Sequence, residues 1–357
     1  MGNCCGKEDA PKKLLEGIVA SNDDYSFIYS VLQALYNLKT FKNFILNDNS
    51  QNEIKIGESL KKIFNKDINK DLIKSSKTIY DRIKEYTKNN IEQYPEIILI
   101  KILELLNQEQ KRKDNNNNIT LLTNIQNNLN LNNYNYEEEA FFNYLKLFII
   151  NRNYNKIGEY FFMFFQKRIT NCFQMINFSY EHKYVFKLNL FDIFNKKSNI
   201  GTLSFNKSTM PELNLIECIN EYSSPIYSFY NFNQYIEQQF LYSTPAYLIF
   251  ILNRRGNENC YYFGDFKYSN IIDLSSVILR KDNAKIYKLS SVIKEKRYLI
   301  DNNNQNSKNN YDFNYITINI DNNNGKFYYY DINKKKEVYK MFKKDGYYDH
   351  ILFFKQY

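Results

Sequence analysis

A chain of 357 residues holds one large domain or two ordinary ones and has ample length to bury a core. With 43% hydrophobic residues, 33 Tyr and 28 Phe, the composition argues against disorder over most of that length. The net charge of +9 comes without a dense Lys/Arg stripe, which argues against nucleic acid as a partner.

In chain order, Met1-Gly2-Asn3-Cys4-Cys5-Gly6-Lys7 comes first and resembles a dual-acylation signal. Gly2 would carry a myristoyl group and Cys4 and Cys5 palmitoyl groups, although Gly6 stands where that signal prefers Ser or Thr. One acyl chain binds membranes marginally, so the second lipid is what would make the anchor stable. A frayed polar terminus with two free thiols is the other reading. The five cysteines, at 4, 5, 172, 218 and 260, contain no C-x-x-C pair. That points to a reducing compartment, and against disulfides and a structural zinc. No run approaches the ~18 apolar residues of a membrane span, and no cleavable signal peptide is expected.

Further along, the polar run Ser21-Asn22-Asp23-Asp24 leads into Val31, Leu32, Leu35 and Leu38, spaced for one face of a helix. The acids suit that helix's N-terminus. Ile54, Leu60, Ile63 and Phe64 predict a second helix, and Ile97 to Leu106 a more buried one. Tyr136 to Leu145 predicts another, with Glu137 to Glu139 in its first turn. From about Thr170 the pattern turns to strands. Tyr184 to Leu190 alternates, Pro245 to Arg254 is a near-continuous apolar run suited to a fully buried strand, and Phe266–Leu274 and Tyr287–Ile293 follow. Asp114–Asn118, Asp301–Asn310 and Asn322–Asn324 read as solvated connectors.

Several of these stretches resemble the motifs of the ubiquitin-specific proteases, and do so in the same order. Ser30-Val31-Leu32-Gln33 resembles the end of that family's first box, which places Ser26 at the nucleophilic cysteine. The same register puts Ser21 at the oxyanion-hole asparagine, with Asn22 as an equal substitute, Asp23 at a glycine and Tyr25 at a threonine. The helix opening at Tyr136 resembles the box whose carboxylates bind the arginines of the ubiquitin tail. Glu137 falls at its Asp, and Ala140 replaces its Glu. Pro245, Leu248, Leu252 and Arg254 match a buried strand, and Tyr287, Leu289 and Val292 another. Gly325-Lys326-Phe327-Tyr328-Tyr329-Tyr330-Asp331 resembles the strand supplying the triad's orienter. Counting back from Asp331 by the family's usual separation gives Asn314 at the general base, followed by Tyr315 and preceded by Phe313 in place of a glycine. Ile351 to Phe354 resembles the closing strand.

The resemblance implies an α+β, papain-like fold with a helical thumb over 17–165 and a β-sheet palm with reduced, zinc-free fingers over 166–357, residues 1–16 being a flexible acylated terminus. A cysteine protease needs a thiolate made available by an imidazole. Ser26 does not ionise without a base, Asn314 offers an amide, and Asp331 has no imidazole to hold. Such losses lower kcat by on the order of 10⁴ to 10⁶. His182 and His350 read as surface or packing residues, and Cys172 and Cys260 lack a loop-to-helix signature. The expectation is a catalytically inactive member, bound to a cytoplasmic membrane face by lipids. It would use Glu137 and Tyr315 toward the tail of ubiquitin or a ubiquitin-like protein, or would bind other proteins, with no metal and no cofactor. An active peptidase with an unconventional nucleophile, and a scaffold that does not bind ubiquitin, are the alternatives.

Overall fold

The computed structural model describes residues 26–48, 55–65, 69–87, 94–111, 136–150, 155–171, 176–198, 210–230, 233–256, 261–280, 285–299, 311–321, 326–331, 334–338 and 347–357. Gly2, Cys4, Cys5, Ser21 to Tyr25, Cys172, Cys260 and the three Asn-rich connectors therefore lie outside the described residues.

Helix α1 (Ser26–Tyr36) carries Phe27, Ile28, Val31, Leu32, Ala34 and Leu35 in a pattern too wide for one face, so it is buried nearly all round. On one side it meets α5 (Pro95–Lys111); on the other it lies on the palm sheet. Between them come α2 (Lys39–Asn47), α3 (Ile56–Phe64) and α4 (Asn69–Thr87). Pro95 at the first helical position of α5 suits its missing N–H and fixed φ. Two further helices, α6 (Tyr136–Ile150) and α7 (Lys156–Phe161), lead into the strands.

Strands β1 (Met163–Thr170), β2 (Ile176–Lys183), β5 (Ile226–Tyr230) and β6 (Asn233–Ser243) form an antiparallel fingers sheet in the order β2-β1-β6-β5. The palm sheet is built from β3 (Phe186–Asn189), β7 (Tyr247–Asn253), β10 (Ile286–Leu299), β11 (Tyr311–Ile320), β12 (Phe327–Asp331), β13 (Lys334–Val338) and β14 (Tyr347–Gln356). Its order is β13-β12-β11-β10-β14-β7-β3, with β9 (Ile271–Asp273) on β10. A short parallel pair, β4 (Leu213–Asn214) with β8 (Phe266–Lys267), and helices α8 (Leu190–Ser198) and α9 (Leu215–Tyr222) cover the far side.

The apolar run at Pro245–Arg254 is continuous because β7 is buried on both faces. Tyr247, Ile249 and Ile251 point into the core shared with the helices, whereas Leu248, Phe250 and Leu252 enter the core beneath the sheet. A third cluster joins Phe141, Leu145 and Phe148 of α6 to Phe162, Phe164 and Tyr242 at the base of the fingers.

Two expected strands differ from the structure. Tyr184 to Leu190 is not one strand: β2 ends at Lys183, β3 begins at Phe186, and Leu190 opens α8. The break is where the chain leaves the fingers sheet for the palm. Phe266–Leu274 is likewise divided into β8 and β9, which pair with different sheets.

Candidate functional site

Ser26 is the first described residue of α1 and is buried at 8% exposure. The rest of the helix is tied to the palm by polar contacts. Asn37 Nδ2 donates to Ser290 O at 2.8 Å, Thr317 Oγ1 donates to Ser30 O at 3.0 Å, and Asn319 Nδ2 to Gln33 O at 3.4 Å. These bonds fix which face of β11 looks toward α1: Tyr315 belongs to the core that α1 shares, while Ile316 and Ile318 pack on the opposite side with Tyr347.

For Phe313, Asn314 and Asp331 the backbone alone is described. Asn314 stands opposite Lys296 of β10, and Asp331 follows Tyr330, the partner of Thr317. Of the Asn314-Tyr315 pair, Tyr315 is the residue in the α1-facing core. Its hydroxyl is pushed well above the ordinary tyrosine range by burial, then by the charges of Glu295 and Glu96, so it does not serve as a base near neutral pH.

Both histidines are engaged elsewhere. His182 on β2 has Nδ1 at 3.0 Å from the Tyr144 hydroxyl, with the rings of Phe148 and Phe162 at 4.3 and 4.7 Å. That is a histidine packed against the third cluster. His350 on β14 is buried, with Nε2 at 2.7 Å from Glu96 Oε2 of α5. Neither has Ser26 as a hydrogen-bond partner.

Glu137 lies in the first turn of α6, the helix that packs on β2. Its carboxylate receives Arg168 Nη2 at 3.2 and 3.1 Å, and Tyr180 donates to its carbonyl at 2.7 Å. Arg168 Nε also donates to Gln166 Oε1 at 2.6 Å, and the guanidinium sits over the Phe240 ring at 4.9 Å. The carboxylate is thus occupied by an arginine of its own chain. The acid that reaches from α5 to His350 of the palm is Glu96, which no motif in the sequence marks. Its signal was the Pro95-Glu96 start of a helix, which marks an N-terminus but names no partner.

Among the described residues no group of three or more His, Cys, Asp or Glu is arranged to hold a metal ion, and Cys218 is fully buried in the core beneath the palm. No helix of the described residues is long and apolar enough to cross a membrane.

Comparison with known proteins agrees with this architecture. Solved structures of the SAGA DUB module align over almost the whole chain. The Ubp8/Sgf11/Sus1/Sgf73 module bound to monoubiquitin gives a TM-score of 0.65 at 13% identity, covering 99% of this chain and 72% of that one. The module bound to ubiquitin aldehyde gives 0.61 at 13% identity, covering 96% and 70%. A yeast SAGA DUB module with an Sgf73 mutant gives 0.64 at 12% identity, covering 96% and 68%. At such identities the likeness is one of fold. No curated protein matches the chain. The profile of the ubiquitin carboxyl-terminal hydrolases, however, matches residues 20–354. This α+β chain, with thumb, palm and fingers, belongs to the ubiquitin carboxyl-terminal hydrolase family.

Proposed function

We propose that the chain is a catalytically inactive member of this family that binds ubiquitin, a ubiquitin-like protein or another protein, held at a membrane by lipids on Gly2, Cys4 and Cys5. The observation that carries the inactivity is the fate of the imidazoles. A hydroxyl at Ser26 needs a neutral base within hydrogen-bond reach, and the chain's two histidines are bonded to Tyr144 and Glu96 instead. Neither Asn314 nor the buried Tyr315 supplies what is missing.

The solved relatives are bound to monoubiquitin or ubiquitin aldehyde and assembled with Sgf11, Sus1 and Sgf73, which supports ubiquitin and other proteins as the partner class. Binding is weak in this reading, because Glu137 is already paired and the charge of +9 opposes a basic tail at long range. The membrane link rests on the sequence of residues 1–7. One experiment separates the readings: ubiquitin is titrated against the purified chain, which is also incubated with a fluorogenic ubiquitin conjugate. Binding without turnover is expected. Turnover abolished by Ser26→Ala would sink the inactive assignment, and an absence of binding would leave a scaffold for other proteins.

A further inference from the structure

Four ionisable side chains from four separate segments converge in the seam between α5 and the palm. Glu96 comes from the first turn of α5, Glu295 from β10, His350 from β14 and Arg255 from the segment just past β7, where it bridges to Tyr261. His350 is the extra residue of a β-bulge: Ile293 pairs with Ile351 and Lys294 with Asp349, so the backbone turns the imidazole toward α5. Its Nε2 lies 2.7 Å from Glu96 Oε2 and its Nδ1 3.6 Å from Glu295 Oε2. Arg255 Nη2 holds the same Glu295 oxygen at 3.2 Å, and the Tyr261 hydroxyl donates to the other at 3.1 Å. Glu295 and His350 side chains are only 2% and 6% exposed.

Both ring nitrogens face carboxylate oxygens, which only accept. A neutral imidazole has one N–H and would turn its lone pair on the second carboxylate; an imidazolium donates to Glu96 and sets its other N–H within ion-pair distance of Glu295. Charge balance agrees, since two carboxylates and one guanidinium in a buried site need a second cation. We propose that His350 is a proton-dependent latch between thumb and palm: charged, it clamps α5 to β14 and β10; neutral, it leaves Glu96 and Glu295 to repel each other across the seam. The latch stands whether or not ubiquitin is the partner.

The other charged and titratable groups around it are accounted for. Lys294 is paired with Asp349. Arg254 donates to the carbonyls of Asp349, Tyr262 and Gly264, with its guanidinium over the Tyr348 ring at 5.1 Å. Arg255 also covers the Tyr94 ring at 4.0 Å, and the Tyr315 ring lies 5.8 Å from His350. Burial by itself would depress His350, but Glu96 and Glu295 outweigh burial and Arg255 and hold its pKa above 6.5. For Glu96, burial pushes upward while the His350 cation, then Arg255, bring it down to about 2. A raised histidine contributes fully below its unfolded value and is lost as pH climbs through its folded one; a depressed carboxylate contributes above its unfolded value and is lost as pH falls. The latch therefore contributes its full stabilisation between about pH 4.5 and 6.5, and it stays closed in the folded protein until the pH climbs through the raised His350 value, releasing on the alkaline side.

The test uses the full chain with ¹³C-labelled histidine, whose two ring signals are assigned with His182→Gln. The His350 signal is expected to titrate with a midpoint above 6.5, and in Glu96→Gln the midpoint falls. Hydrogen exchange of amides in the first two turns of α5 should rise with pH faster than the intrinsic rate. The excess is about tenfold for each unit by which the midpoint is raised, and His350→Gln removes it. Should His350→Gln fail to fold, Glu96→Gln carries the comparison. A His350 midpoint at or below 6.5, or an α5 exchange profile in Glu96→Gln that matches wild type, overturns the latch.

Discussion

The sharpest stability prediction concerns Glu109, a carboxylate with 2% exposure near the C-terminal end of α5. Its Oε1 accepts from Ile56 N at 2.6 Å and its Oε2 from Gly57 N at 3.0 Å, so it caps the start of α3 from another helix. α3 needs this, because Lys55 at its N-cap makes no side-chain cap bond and sits at φ 58, a strained angle for a residue with a Cβ. Hydrogen bonds to a charged group are worth roughly 1.5–3 kcal/mol each. Glu109→Gln keeps one acceptor oxygen and sets an amide against the other N–H, a loss of about 2–3 kcal/mol. Glu109→Ala forfeits both bonds, for about 3–6 kcal/mol, a large share of a domain's usual 5–15. With a urea slope of about 3 kcal/mol/M, the Gln variant should unfold about 0.7–1 M earlier. Gly57→Ala should couple to it, since an added Cβ would meet Glu109 Oε2 at 2.9 Å. Equilibrium urea unfolding followed by circular dichroism is the assay. The control is Glu85→Gln, which breaks an exposed pair with Arg82 and should shift stability by under about 0.5 kcal/mol. If Glu109→Gln is no worse than that control, the capping argument is refuted.

Ser26→Cys should leave a fluorogenic ubiquitin substrate uncleaved, because a thiol at that helix start still has no imidazole; turnover in the variant above the Ser26→Ala background would show that a base was overlooked. Glu137→Gln should cost about 1–2 kcal/mol through the weakened ion pair, in which Arg168 Nη2 reaches both carboxylate oxygens, and should weaken ubiquitin binding a few-fold; unchanged affinity in a calorimetric titration moves the tail away from α6. Purified protein should carry no stoichiometric zinc, and chelators should leave its melting temperature unchanged; elemental analysis at unit occupancy would reverse this. Gly2→Ala should transfer the protein from membrane to soluble fractions, and Cys4→Ser with Cys5→Ser should leave reversible attachment; a wild type already soluble in its native cell contradicts the acylation reading.

Elements with a strong local pattern were legible in the sequence. The unbroken run of β7 and the core of β10 each state their own burial, because period and composition suffice, whereas the stripe of α1 gives the helix but not its burial on nearly every side, which comes from α5 and the palm closing on it. Leu190 was not legible as a helix start: it follows an alternating strand, and only the packing of Phe191 and Phe194 against the underside of the palm makes the next turns helical. The change of sheet at Tyr184 is equally hidden, since alternation reads the same on either side of it. The buried ion cluster was invisible for a different reason. Glu96 and His350 are 254 residues apart, and no local pattern distinguishes a solvated first-turn acid from one that meets an imidazole. Glu137 shows the converse. Its helix was readable, but its Arg168 partner, on a strand 31 residues later, was not.

The architecture separates what holds α1 from what would make it reactive. The ties from Asn37, Thr317 and Asn319 grip the middle and end of the helix, and none involves the Ser26 hydroxyl. A substitution at Ser26 therefore leaves these supports in place. The same separation disqualifies the histidine nearest in role. A general base must be neutral to take a proton, whereas His350, pinned between two carboxylates, is held charged over the range in which the latch is shut. It becomes neutral only as that clamp lets go, and then it faces Glu96 and Glu295 rather than a hydroxyl. The arrangement that makes His350 a fastening is the arrangement that keeps it from catalysis.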